Sequence, residues 1–193
     1  MPLSGFRVEQ QLGVQILRLQ SDDAINRLTR DCVQTLADEI GELASNGAPL
    51  IVAANNRFFS AGADLREISR LKGTDAFEFA QMGQRLMEAI DHFPTPVYAA
   101  IDGYCMGGAL DLALACDHRI ASPHAVFGHR GAALGLITGW GGTQRLPRLI
   151  GKGRALEMFV AAEKIAASQA LRIGLVDAIA ADPVAEAVRR IRQ

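Results

Sequence analysis

The chain predicts an α/β fold, and three observations carry that expectation. Short apolar runs rich in β-branched residues alternate with longer runs of helical period, as in Val14–Leu19, then residues 29–43, then residues 50–54. Two loops of small residues, around Ala63 and around Gly108, each leave the end of a strand. Ligands of open α/β sheets gather at such strand ends, so the two loops can share one pocket. The chain has 193 residues, 49% of them hydrophobic, which is enough for one domain with a sizeable core across residues 1–193.

The elements follow in order. Residues 6–10 and Val14–Leu19 read as two strands joined across Leu12 and Gly13, and residues 22–26 as a loop. Thr29 is expected to cap a helix whose apolar face is Val33, Leu36, Ala37, Ile40 and Leu43, with Gly47 and Pro49 beyond its end. Residues 50–54 form a buried strand, so this strand–helix–strand unit argues for parallel pairing. A small-residue loop, 55–65, follows. Thr74 is expected to cap the next helix, with Phe77, Met82, Leu86 and Ile90 on its face and Pro94 and Pro96 past its end. An extended run, 96–101, leads through Gly107 and Gly108 into a helix over 109–116. Residues 118–121 and 125–127 read as short strands, and 128–133 as a loop. Further helices are expected after Gly139 with Thr143 near the cap, over 154–162, and from a Ser168 cap to Ile173, where Gly174 ends it. A strand over 175–179 and a helix from Asp182 (N-cap) and Pro183 (first turn) to Arg192 complete the series.

Composition excludes several classes. The net charge is −1 with mixed signs, so no basic patch points to nucleic acid. The apolar stretch around Gly108 is broken by Asp102, Asp111 and Asp117, so it is not a membrane span. Residues 1–8 lack an apolar leader core. Cys32, Cys105 and Cys116 are odd in number and sit in apolar surroundings. They read as reduced core thiols of a cytoplasmic protein, with neither a disulfide frame nor a metal set.

The stretch from Ile101 to Leu112 is the most informative. Strand, glycine turn and helix expose backbone N–H groups at a helix start, where partial positive charge gathers. Such a turn can hold an anion or an enolate oxygen, or it can be a tight packing turn. Asp111 lies in the first turn of the helix, three residues past Gly108.

Four motifs in order then carry a resemblance. They are Phe59-Ser60-Ala61-Gly62-Ala63-Asp64-Leu65, Met106-Gly107-Gly108-Ala109-Leu110-Asp111-Leu112-Ala113 after Asp102-Gly103-Tyr104, Cys116-Asp117, and Gly139-Trp140-Gly141-Gly142-Thr143-Gln144-Arg145-Leu146. The pattern resembles the crotonase, or enoyl-CoA hydratase/isomerase, family over roughly residues 6–180. The resemblance implies a spiral of ββα units that binds an acyl-CoA thioester, with no permanently bound cofactor and CoA arriving as part of the substrate. It implies an oxyanion hole made by the N–H groups of Ala63 and Gly108, and CoA contacts at Ala24, Ala61, Ala63, Asp64 and Leu65. Asp64 also reads as a cap on the short helix that follows. Small residues at 63 and 108 let a thioester approach the backbone closely.

The sequence also departs from the family. Hydratases of this family use two glutamates. One position is Asp111 here, a carboxylate one methylene shorter, and the other is Gly131, which has no side chain. Asp111 is thus expected to be the sole acid/base of an enoyl-CoA hydratase/isomerase-type enzyme, or, with a neighbour such as His129 or Arg130, to position water. The alternative is an acyl-CoA-binding scaffold that catalyses little. His129 is either that second titrating group or a surface-loop residue, and Arg130 either pairs with Asp111 or a substrate carboxylate or faces solvent. Asp117 is expected to hold backbone N–H groups. Asp23 stands where relatives often carry a basic residue near the CoA 3′-phosphate. Trp140 either walls the acyl pocket or packs in the core. Relatives continue for several more helices, so a shortened C-terminal helical region is expected to leave apolar surface and favour a homo-oligomer, a trimer or hexamer.

Overall fold

A computed structural model describes residues 5–55 and 57–193. Residues 1–4, within the stretch read for a leader, and Asn56, within the first small-residue loop, lie outside the described residues. Strands β1 (Phe6–Gln11) and β2 (Val14–Leu19) form an antiparallel hairpin turned at Leu12 and Gly13. β3 (Arg27–Leu28) precedes α1 (Arg30–Ala44), where Thr29 Oγ1 accepts from the Cys32 N–H as expected of the cap. β4 (Leu50–Ala53) returns parallel to β2, so the strand–helix–strand unit pairs as the sequence predicts.

Next come β5 (Phe58–Ser60), β6 (Gly62–Ala63), α2 (Leu65–Ile68) and α3 (Thr74–Asp91). β7 (Val97–Ile101) and β8 (Tyr104–Met106) lead into α4 (Gly108–Ala115), followed by β9 (His118–Ala121) and β10 (Val126–Gly128). A 3-10 turn, Ala132–Leu134, precedes α5 (Gly142–Ile150), α6 (Lys152–Ala161), β11 (Ile165–Ala166), α7 (Ala167–Arg172), β12 (Ala178–Ile179) and α8 (Pro183–Ile191).

The main sheet has six strands in the order β1-β2-β4-β7-β9-β12, parallel from β2 onward. Strand period places alternate residues on opposite faces. Leu50, Val52, Val97, Ala99 and Ile101 join the core under α1, α3 and α4, whereas Ile51, Ala53, Tyr98 and Ala100 pack against Ala187 and Val188 of α8. Both faces are therefore covered, which is why β4 and β7 are apolar at every position. Each large aliphatic buried there contributes about 1.5–3 kcal/mol. A second sheet runs β11-β10-β8-β5, and β3 pairs with β6. These two small sheets hold the small-residue loops at the ends of the main strands. The alternation of strands and helices is the α/β architecture expected.

Some local expectations are corrected. Helix α3 starts at Thr74 behind Gly73, which has φ 52 and offers no side chain, so Thr74 is not the cap. Its buried face is Phe79, Met82, Gly83, Leu86, Met87 and Ile90. Phe77 precedes Phe79 by two residues, about 200° around the helix, and is exposed. Helix α5 begins at Gly142 behind Gly141, with no side-chain cap from Thr143. Helix α7 begins at Ala167, so Ser168 lies inside it. Only Ala178 and Ile179 of the run 175–179 pair in the sheet. Asp182 does cap α8, accepting from the Ala185 N–H at 2.9 Å. Asp117 accepts from the Val97 N–H at 2.8 Å, tying α4's exit to the start of β7. Leu134, Ile137, Leu156 and Val160 are exposed.

Candidate active site

The two small-residue loops meet. Asn26, 3% exposed, donates to the Phe58 carbonyl at 2.9 Å, and Ser60 Oγ donates to the Asn26 carbonyl at 2.5 Å while accepting from the Gly62 N–H at 3.0 Å. This staple holds the 61–63 segment in place. Gly62 has φ +86, and a Cβ there would lie 2.3 Å from the Met106 carbonyl oxygen and 2.9 Å from the Gly108 nitrogen. Only glycine lets β6 press so closely on the β8–α4 turn. A Cβ at Gly108 would in turn lie 3.4 Å from the Ala63 nitrogen, so these two backbone groups are neighbours.

Gly108 opens α4, where the first N–H groups have no acceptor within the helix. The turn before it is fixed by the Gly107 N–H donating to the Gly128 carbonyl at 2.9 Å. β8 and β10 run parallel with Met106 opposite Gly128. That register sets the residues just after β10 beside the first turn of α4.

Asp111 is the result. It is the only charged residue of α4, whose other described positions from Ala109 to Ala115 are apolar and buried. Its side chain is 1% exposed, and His129, 4% exposed, places Nε2 at 2.9 Å from Asp111 Oδ1. Thr138 Oγ1 donates to Asp111 Oδ2. A buried carboxylate is costly unless hydrogen-bonded, and both oxygens here have partners. Gly142 completes the packing: a Cβ there would fall 2.0 Å from Asp111 Oδ1 and 3.1 Å from His129 Nε2. The surface-loop reading of His129 is thereby excluded. Arg130 is exposed, and its pairing with Asp111 is not observed.

These groups line a cavity of about 650 Å³ that is otherwise largely apolar. Its lining includes Ala61, Ala63 and Leu65, Met106 to Gly108 and Asp111, and His129, Gly131, Thr138 and Trp140, with Phe79 of α3 among the walls. Trp140 is both wall and packing residue. Its Nε1 donates to the Phe79 carbonyl at 3.3 Å, and a Cβ at Gly83 would fall 2.1 Å from that nitrogen. The packing is thus against α3, and also against the start of α4, where a Cβ at Gly108 would fall 2.5 Å from the indole ring. Among the other residues singled out, Asp64 caps α2 by accepting from the Arg66 N–H at 2.7 Å and does not line the cavity. Ala24 also lies outside the lining, its carbonyl accepting from Asn55 Nδ2 at 2.9 Å. Asp23 pairs with Arg27 and accepts from the Ile25 N–H, and these bonds, the backbone one first, hold its carboxyl down at about 2. Cys105 is fully buried, and burial pushes its thiol well above the ordinary range, which rules out an accessible thiolate nucleophile.

Gly131 lines the cavity, but the space a side chain would start in is taken. A Cβ there would lie 2.8 Å from the Leu136 carbonyl oxygen, because the Gly131 carbonyl accepts from both the Leu134 and Leu136 N–H groups. The loop closes on itself at the glycine. Gly131→Glu is therefore expected to destabilise the fold by about 1–3 kcal/mol through overcrowding, without raising activity. Thermal melting and steady-state kinetics check this, and a faster, equally stable variant would refute the loop geometry. Sequence reasoning did not find Thr138 or Gly142. Their only signal is the glycine-rich run 138–142, which overlaps the fourth motif and does not say what it faces.

Known proteins share this arrangement of chain. The family model described as Enoyl-CoA hydratase/isomerase matches residues 9–193. A crotonyl-CoA hydratase of Syntrophomonas wolfei is 35% identical over 182 residues, covering 93% of this chain and 70% of that protein. A short-chain-enoyl-CoA hydratase of Clostridium acetobutylicum is 34% identical over 182 residues, with the same coverage of both. The crystal structure of an enoyl-CoA hydratase from Bacillus anthracis is similar at a TM-score of 0.92 and 32% identity, over 98% of this chain and 76% of that one. With the match running through every motif around the cavity, the chain belongs to the enoyl-CoA hydratase/isomerase, or crotonase, family.

Proposed function

We propose that residues 1–193 form one acyl-CoA-binding domain that adds water across the C=C bond of a short-chain 2-enoyl-CoA. One observation carries the reading. A carboxylate buried to 1% exposure, Asp111, sits in an apolar cavity next to a glycine that opens a helix.

Water adds to the β-carbon only when the thioester carbonyl can accept the displaced electrons. Its oxygen then becomes negative, and backbone donors aimed at that point lower the barrier. The N–H groups of Ala63 and Gly108 are the donors assigned, their proximity supported by the 3.4 Å approach at position 108. Each such donor contributes about 10²–10³ in rate. Asp111 takes a proton from the attacking water, with Thr138 and His129 fixing its orientation. Ala61, Ala63 and Leu65 offer the CoA arm a path into the cavity, and Ala24 and Asp64 are assigned to its outer part. CoA enters as part of the substrate, so no resident cofactor is needed. The names of the relatives in S. wolfei and C. acetobutylicum support the short-chain substrate class.

A second reading is favoured by Gly131, where the loop leaves no room for a second carboxylate. In that reading the chain binds acyl-CoA and turns over little. Crotonyl-CoA separates the two. Conversion to the 3-hydroxyacyl-CoA is expected, and saturable binding with no product would establish the second reading instead.

A further inference from the structure

We infer that His129 is the acid of this site and works as a proton-handling pair with Asp111, replacing the carboxylate that position 131 cannot hold. The inference rests on the proposed hydration. Hydration needs a group that takes a proton from water and one that gives a proton to the α-carbon. Among the cavity-lining residues the ionisable ones are Asp111, His129 and Arg130. A guanidinium does not release its proton in a protein. Only Asp111 and His129 are left to exchange protons with a bound substrate.

Their geometry suits the exchange. Nε2 and Oδ1 are 2.9 Å apart, both side chains are at most 4% exposed, and the 2.0 Å clash predicted for a Cβ at Gly142 shows how tightly α5 presses on the pair. A histidine in this setting is held for its chemistry or its orientation, since its immediate packing partner, the Phe159 ring at 5.2 Å, would accept any apolar side chain.

The cycle balances. As the water oxygen bonds to the β-carbon, one water proton goes to Asp111, and the C=C electron pair shifts so that negative charge forms on the thioester oxygen. The enolate then returns its electron pair to the α-carbon, forming a C–H bond with the proton released by His129. The proton on Asp111 crosses the 2.9 Å contact to the imidazole, restoring carboxylate and imidazolium.

The test is steady-state kinetics on crotonyl-CoA for wild type, Asp111→Asn, His129→Gln and the double variant. Glutamine can donate the same hydrogen bond to Asp111 but cannot titrate. His129→Gln is expected to lower kcat about 10²-fold while leaving KM within about twofold, as loss of one general acid does. The double variant should be no slower than Asp111→Asn, because members of one unit are not additive. His129→Gly with free imidazole guards against a folding defect. Recovery of about tenfold is expected with imidazole and none with formamide, a hydrogen-bonding molecule that does not titrate at neutral pH. A His129→Gln enzyme within about threefold of wild type, or equal recovery with formamide, overturns the inference and leaves His129 as a positioning residue. A wild type without turnover overturns the proposed hydration itself, and this inference with it.

Discussion

Asp111→Asn is expected to reduce kcat on crotonyl-CoA about 10³–10⁴-fold with KM nearly unchanged, the size of effect that loss of a general base produces. That loss corresponds to about 4–5.5 kcal/mol of barrier. Asparagine fills the same space, so α4 keeps its packing. Its amide can still meet both neighbours, because its oxygen can accept from the His129 ring N–H while its NH2 group donates to the Thr138 hydroxyl. What disappears is the ability to carry a proton. Steady-state kinetics beside a CoA-binding titration check this. A variant that retains turnover would move the chemistry away from Asp111, and one that loses CoA affinity in proportion would make Asp111 a packing residue.

Gly62→Ala is expected to damage both the fold and the rate. The residue has φ +86, which costs an L-residue about 1–2 kcal/mol. The methyl group would also meet backbone, at 2.3 Å from the Met106 carbonyl oxygen and 2.9 Å from the Gly108 nitrogen. Backbone cannot rotate aside as a flexible side chain can, and overpacking adds about 1–3 kcal/mol more. The strain is relieved only by moving β6 away from the β8–α4 turn. The proposed donors, Ala63 N–H and Gly108 N–H, then move apart, and a loss of about 10²–10³ in kcat is expected with them. Thermal melting and kinetics on the same preparation read both effects. A Gly62→Ala enzyme that melts and turns over as wild type does would show that the two loops need not be in contact.

Much of this arrangement was legible in the sequence, for physical reasons. Thr29 with Val33, Leu36, Ile40 and Leu43 is a cap followed by a helical stripe, and Asp182-Pro183 is a start signal that the backbone obeys. The apolar runs of β4 and β7 read as buried strands because helices cover both faces of the sheet. The two-residue strands β3, β6 and β11 were not legible, since two residues carry no period. Phe77 and Phe79 are equally apolar, and only the true helix phase decides which is buried.

At the site, Ala63, Gly108 and Asp111 are assigned by the resemblance, whose motifs are local, and all three line one cavity. Of the partners of Asp111, His129 could be named only as one of two alternatives, and Thr138 and Gly142 not at all. Thr138 and Gly142 reach it from 27 and 31 residues away, and a glycine announces no contact. His129 lies among small and charged residues, which reads as a surface loop. It is buried because the register of β8 against β10 brings it to α4, and α5 closes over it.

The central claim is that this cavity forms a thioester enolate between the Ala63 and Gly108 N–H groups and protonates it at the α-carbon. Mass spectrometry of the product formed from crotonyl-CoA in D₂O tests it most directly. The predicted result is 3-hydroxybutyryl-CoA carrying one deuterium at the α-carbon, formed by wild type and not by Asp111→Asn. Crotonyl-CoA recovered unlabelled and unhydrated from a wild-type protein that binds it would contradict the claim.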